Sequence, residues 1–433
     1  MNLKYLFYLI FATTSLFAEG PEINCSANPL FDTELAIEIA GLQENQVVLI
    51  EASWIDPQQV QWLSQAVFQA NSAGRVELAR QSPITGSYKG VDPMGLFWSM
   101  QSRNVIPGAE LDENVCGSFC FANTLRVYDG KQLVAEKIIC RCLQSDEISH
   151  IDLDEDGLIG RLFMPEVDSA KPLVIVLTGS NGGLQTGTAA MIASHGIPAL
   201  ALAYSGIGDL PPTVEDVPLE YFEKAFEWID NQPNLSGEIF LHGTSRGAEL
   251  ALILGSYFPE RINKIVGIAP SSVVLSADSW VYNDEPILPA APFFIDMNND
   301  AFAFESTKDE PRSIRIHRER GLLLERDHFD AAAIPVENIQ CPVLLISGGD
   351  DQLGPCSVYS ELILERLEEY DSKIRCEHLN FPKAGHLISE PYFPRCNVFC
   401  TEGMWMNYGG TPKADELASR ESWKRTIEFF KEP

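Results

Sequence analysis

Ile239-Phe240-Leu241-His242-Gly243-Thr244-Ser245-Arg246-Gly247-Ala248-Glu249-Leu250-Ala251-Leu252 is the stretch that decides the fold of this chain. Its first three residues predict a buried strand, the G-x-S-x-G a tight turn, and the apolar run after it a helix. The motif carries meaning only in that setting. Its glycines let the helix pass close to the strand, so that the serine hydroxyl is held out at the C-terminal edge of a parallel sheet. Ser245 is therefore the candidate nucleophile. The backbone N–H of Arg246, at the helix start, is a candidate oxyanion donor.

A serine hydroxyl is a poor nucleophile until a base takes its proton. In a sheet of this kind the partners follow in the order serine, acid, histidine. The buried-strand run 343–347 leads into Gly348-Gly349-Asp350-Asp351, where adjacent carboxylates point different ways. Asp351 is the expected acid, with Asp350 as its structural neighbour. His386 follows the strand-like run 374–379 on a glycine-containing loop and is the expected base. His328 precedes the acid and breaks the order, and His242 is expected to pack beneath the elbow. The glycine-rich loop 178–183 should supply the second oxyanion donor, with Ser180 and Asn181 as candidates. That loop fits neither G-x-x-x-x-G-K-[ST] nor G-x-G-x-x-G, so no nucleotide is expected there. No cofactor and no metal is expected.

Outward from the motif, the apolar runs 173–177 and 199–203 alternate with helical stretches such as 219–228. That alternation predicts a mostly parallel sheet with helices on both faces. From about 28 to 143 the texture differs, with short runs at 35–39, 47–50, 125–128 and 133–135 separated by turn signals such as Asp129-Gly130. Strands at that spacing predict a small β-sandwich. Between the two, 144–171 reads as a solvated acidic hairpin. The expected organisation is a signal peptide at 1–19, a sandwich at 20–145 and a catalytic domain at 146–433.

The chain of 433 residues carries 31 Lys+Arg against 61 Asp+Glu, a net charge of −30. That balance excludes nucleic acid and anionic membrane surfaces, both of which are held by basic patches. Residues 1–19 hold Lys4, an apolar run and small residues ending at Ala18, the make-up of an export signal. The expected location is periplasmic or secreted, and cytoplasmic only if that signal does not function. No other segment is long and apolar enough to span a bilayer. Ten cysteines follow the signal, which favours disulfides or buried thiols. Cys116/Cys120 and Cys140/Cys142 lack the C-x-x-C spacing of zinc sites. The pairing stays open.

Longer stretches resemble one known family, the acyl-CoA thioesterase / bile acid-CoA:amino acid N-acyltransferase family. They are Gly86-Ser87-Tyr88-Lys89-Gly90-Val91-Asp92-Pro93-Met94-Gly95-Leu96-Phe97-Trp98, Ala201-Leu202-Ala203-Tyr204, Leu219-Glu220-Tyr221-Phe222-Glu223, Ala384-Gly385-His386-Leu387-Ile388, Pro391-Tyr392-Phe393-Pro394 and Tyr408-Gly409-Gly410. The resemblance covers nearly all of the chain after the signal. It implies an immunoglobulin-like N-terminal domain on an α/β-hydrolase domain, with the triad Ser245, Asp351 and His386. In the family, acyltransferases to amino acids use Cys as nucleophile and thioesterases use Ser. Ser245 thus implies hydrolysis of an acyl thioester, with a small-molecule acyl thioester or ester as substrate. The chain departs from its relatives in Arg246-Gly247-Ala248, where they often show Lys and two glycines.

Coenzyme A is a cytosolic polyanion, which sits badly with an export signal and a charge of −30. One local stretch is basic: 311–320 holds Arg312, Arg315, Arg318 and Arg320, with Arg312 and Arg315 as candidate phosphate contacts. It lies in an insertion at about 277–334, where a cover over the active site would sit. The competing expectations are an exported esterase acting on oxygen esters, an acyl-CoA:amino acid N-acyltransferase, and a hydrolase fold kept only for binding.

Overall fold

A computed structural model of the chain describes residues 20–433 apart from 27–28, 57–58, 106–115, 117–118, 167–168, 276–278, 292–305 and 402–403. The expected export signal lies outside the described residues.

Uninterrupted apolar runs cannot leave a face to water, and here they become strands covered on both sides. They form one eight-stranded sheet. Numbered in chain order within it, the strands are β1 (Ser149–Glu155), β2 (Leu158–Met164), β3 (Lys171–Leu177), β4 (Ala199–Ala203), β5 (Leu235–Thr244), β6 (Ile262–Ile268), β7 (Val343–Gly348) and β8 (Cys376–Phe381). They lie side by side in the order β1-β2-β4-β3-β5-β6-β7-β8. From β4 to β8 each neighbouring pair is parallel, while β1 and β2 run antiparallel at one edge. The helices used below are α1 (Thr186–Ser194), α2 (Glu220–Asp230), α3 (Arg246–Tyr257), α4 (Arg315–Leu324), α5 (Arg326–Ala331), α6 (Cys356–Glu369) and α7 (Pro412–Lys431).

Because successive strand residues point to opposite faces, the sheet divides its apolar residues between two cores. Val174, Val176, Ala199, Ala201, Val266 and Leu344 face one core with α1 and α7. Leu173, Ile175, Leu200, Leu202, Ile265 and Leu345 face the other with α2, α3 and α6. The strand order, the parallel register and helices on both faces make this an α/β-hydrolase sheet.

The first core runs on into the N-terminal region through Ile39, Val48, Ile50, Phe68, Leu125 and Val127. That region holds a three-stranded sheet and a six-stranded antiparallel sheet. Disulfides Cys116–Cys140 and Cys120–Cys142 pin the hairpin of Cys120–Asp129 and Gln132–Cys142. The six other cysteines are free thiols. Two polar clips fasten the region to α7. Asp32 accepts from the Trp423 indole at 2.7 Å and pairs with His195, and Asp92 accepts from Arg420 at 2.9 Å. Among the described residues no helix is long and apolar enough to cross a membrane.

Candidate active site

The elbow is built as its glycines require. Ser245 has φ 58° and ψ −119°, a conformation that costs a non-glycine residue of order 1–3 kcal/mol. It joins the end of β5 directly to α3. A side chain at Gly243 would begin 2.1 Å from the carbonyl oxygen of Gly247, and one at Gly247 would begin 2.4 Å from that of Thr178. Strand, turn and helix can approach this closely only with hydrogens at those two positions. Ser245 is half-buried, at the C-terminal ends of the strands.

The first turn of α3 leaves its N–H groups without acceptors inside the helix, and the N–H of Arg246 is among them. The side chain of Arg246 turns inward. Its guanidinium pairs with Glu249 at 2.7 Å, donates to Ser279 and lies 5.3 Å from the Trp280 ring centroid. Glu249 also accepts from the Trp280 indole at 2.8 Å. This buried network fixes the start of the helix and leaves the peptide group for other work. The loop after β3 comes up beside the elbow, a side chain at Gly179 beginning 3.7 Å from Ser245 Cβ. Ser180 and Asn181 form the exposed turn next to it. The oxyanion candidates thus flank the serine from two sides.

The acid and the histidine meet directly. His386 Nδ1 lies 2.6 Å from Asp351 Oδ2, and both residues are buried. Asp351 Oδ1 accepts from the N–H groups of Leu353 at 2.8 Å and Gly354 at 3.1 Å. Burial is the largest single influence and works against the ionised acid, but the charge and hydrogen bond of His386, with hydrogen bonds from Cys356 and Leu353, together outweigh it and hold the Asp351 carboxyl below its ordinary range. Asp350 points elsewhere and accepts from Gln352 at 3.0 Å and from the N–H of Gly410 at 3.1 Å. The histidine loop is braced by the Gly385 N–H on Asp415 at 2.7 Å and by the His386 N–H on the Tyr408 carbonyl at 2.9 Å.

Beside Ser245, Thr244 Oγ1 lies 3.2 Å from Ser389 Oγ, three residues beyond His386. Among the described residues the Ser245 hydroxyl makes no cap hydrogen bond of its own.

Arg315 does not present a free cation. Its Nε holds Glu319 at 2.7 Å, and its Nη1 holds the carbonyl oxygens of Gly349 at 2.7 Å and Asp351 at 3.2 Å. The backbone of Arg312 forms a bridge with Met406 at the edge of the strand Met404–Asn407. His328 is exposed and pairs with Glu325, away from the site. His242 is buried beneath the elbow, and neither of its ring nitrogens has a hydrogen-bond partner among the described residues.

One side chain at the site has no motif to announce it. Cys356, first residue of α6, is buried with its sulfur, an Asp351 oxygen and a His386 ring nitrogen all within 4.8 Å of one another. Burial, and then the charge of Asp351, push its thiol well above the ordinary range, so it stays protonated. Only its place five residues after the acid could have drawn attention to it.

Comparison with known proteins adds independent findings. A family model described as BAAT / Acyl-CoA thioester hydrolase C terminal matches residues 217–433, and one described as Acyl-CoA thioester hydrolase/BAAT N-terminal region matches 32–155. Acyl-coenzyme A thioesterase 6 of Mus musculus is 30% identical over 409 residues, covering 92% of this chain and 93% of the relative. Acyl-coenzyme A thioesterase 1 of Rattus norvegicus is 29% identical, with 92% and 93% covered. Acyl-coenzyme A amino acid N-acyltransferase 2 of Mus musculus is 29% identical, with 94% and 96% covered. Among solved structures, carboxyl esterase 2 from the mycorrhizal fungus Tuber melanosporum superposes with a TM-score of 0.39 at 14% identity, over 66% of this chain and 86% of that one.

Proposed function

From the chain's membership of the acyl-CoA thioester hydrolase/BAAT family, we propose that it is a serine hydrolase of acyl thioesters. The observation that carries the reading is the buried Asp351–His386 pair, in a sheet whose G-x-S-x-G serine sits on a strained elbow. In the proposed cycle His386 takes the Ser245 proton, and Ser245 Oγ attacks the thioester carbonyl. The tetrahedral oxyanion is held by the N–H of Arg246 and by one from Ser180 or Asn181. The thiol leaves with the proton from His386, giving an acyl-enzyme. A water activated by His386 then releases the acid and restores Ser245. Asp351 keeps the imidazole oriented and balances its charge.

Serine at the nucleophile supports water as acceptor, since in the family it is the amino-acid acyltransferases that carry cysteine. The N-terminal region is proposed to be an immunoglobulin-like sandwich over 20–145, with the catalytic domain at 146–433. Arg312 is retained as a proposed contact for the carrier's phosphates, whereas Arg315 is committed to protein carbonyls.

A second reading, an exported esterase on oxygen esters, draws on the expected signal at 1–19 and on the two disulfides, which persist in oxidising compartments. A panel of acyl-CoAs and p-nitrophenyl esters separates the two. The thioesterase reading expects higher kcat/KM on acyl-CoA, with no acyl-glycine or acyl-taurine formed when those acceptors are added. Higher kcat/KM on the esters would hand the function to the second reading.

A further inference from the structure

The geometry points to Arg315 as a positioning residue for the triad acid, tying the insertion that carries α4 to the geometry of the active site. This rests on the triad proposed above. The acid sits on a loop that opens with Gly348-Gly349, where a side chain would begin 2.0 Å from the Gly385 carbonyl oxygen and 2.7 Å from Pro382 Cα, so the loop packs directly on the histidine loop. Something must hold that loop if the Asp351 carboxylate is to stay on His386. Its hydrogen bonds to Leu353 and Gly354 fix the carboxylate relative to the loop, and the Gly349 and Asp350 N–H groups tie the loop to the Phe381 and Ala384 carbonyls at 2.9 Å.

The entry to α4 adds a restraint from the insertion. Arg315 Nη1 donates to the carbonyl oxygens of Gly349 and Asp351, the residues on either side of Asp350. Its Nε is held by Glu319, one turn along the same helix, so the guanidinium plane is fixed from behind. The N–H groups of Ile314 and Arg315 both reach the Gln352 carbonyl at 3.0 Å, and Ser313 Oγ reaches it as well. Both bonds leave Nη1, whose two N–H groups lie in a plane fixed by the Nε bond to Glu319; a lysine ammonium on a flexible stem has no such plane.

The Arg315→Met and Arg315→Lys variants test this on two substrates, an acyl-CoA and a phosphate-free p-nitrophenyl ester. A positioning role predicts that Arg315→Met lowers kcat on both substrates alike, on the order of tenfold to a hundredfold, with KM unchanged. Arg315→Lys should fall between the variant and the parent, and low concentrations of guanidinium ion should partly restore Arg315→Ala. A rise in KM for the acyl-CoA alone would overturn the inference in favour of a phosphate contact. Unchanged kcat on both substrates would overturn it outright. Should Arg315→Met fail to fold by circular dichroism, Arg315→Lys is judged by the same criteria. Labelling of the parent by a fluorophosphonate, lost in Ser245→Ala, is measured alongside. Without it the triad reading fails, and this inference is not what has been refuted.

Discussion

Ser245 is held at φ 58° because the residues on either side leave it no other path, and the stored strain turns its hydroxyl out of the sheet. Its partner acid was the one open choice at this scale. Asp350 and Asp351 are adjacent, so sequence order and strand position fit both, and only the direction of each side chain separates them. That direction is set by contacts from far along the chain: Gly410 draws Asp350 away, and His386 faces Asp351. Ser245 and His386 stand out as candidates in the sequence because their loops carry glycines at fixed offsets. Cys356 and the inward turn of Arg315 do not, because neither follows a local pattern. Asp351→Asn should keep the fold and lower kcat by roughly 10²- to 10⁴-fold, through loss of the imidazolium's counter-charge and the correct tautomer. Asp350→Asn should stay close to the parent. Steady-state kinetics on both variants checks this, and equal losses would show that the acid is misassigned.

Among the elements, the central strands were easiest to read, since 173–177, 199–203 and 343–346 are apolar at every position and can only be interior strands. The junction was harder. Residues 149–164 do form the expected hairpin, but Leu153, Leu158 and Leu162 are buried, because β2 pairs antiparallel with β4 and extends the sheet. The acidic residues between them masked that alternation. The ten-residue strand Val60–Gln69 was not anticipated either, its Gln and Ser residues giving a weak pattern. The stretch 86–98, read by resemblance, is a structural device. Asp92 accepts from the N–H of Met94 and the Trp98 indole, both at 3.0 Å, and from Arg420 of α7. Asp92→Ala should therefore cost about 2–4 kcal/mol of stability, less than a fully buried pair because Arg420 is partly exposed. Denaturant unfolding measures this. The folded variant should retain the parent's kcat/KM, and a selective loss of activity without destabilisation would place Asp92 in the chemistry instead.

Across the whole molecule, one sheet carries two cores, and the N-terminal region is continuous with only one of them, leaving the strand ends that bear the site to the loops. Buried His242 couples that architecture to pH. Burial lowers its imidazole from 6.5 to about 4, so between those values the unfolded chain binds a proton that the native chain does not. Stability from this residue is complete above about pH 6.5 and falls as pH drops toward 4, by about 3 kcal/mol in all. Urea unfolding of the parent and His242→Leu at pH 7.5 and pH 4.5 should show a smaller loss in the variant; equal losses would mean that His242 is not the sensor. The net charge of −30 keeps its force at this scale, because Arg315 is committed to Glu319 and to two protein carbonyls and so has less to offer a coenzyme's phosphates than its place in the basic run suggests. The central claim remains an acyl-enzyme on Ser245, and the most direct measurement is mass spectrometry of the protein quenched during turnover of a long-chain acyl-CoA. The account predicts one acyl adduct, on the peptide containing Ser245, that is absent from Ser245→Ala and falls sharply in His386→Ala, where no base takes the serine proton. An adduct on another residue, or full turnover by Ser245→Ala, would contradict it.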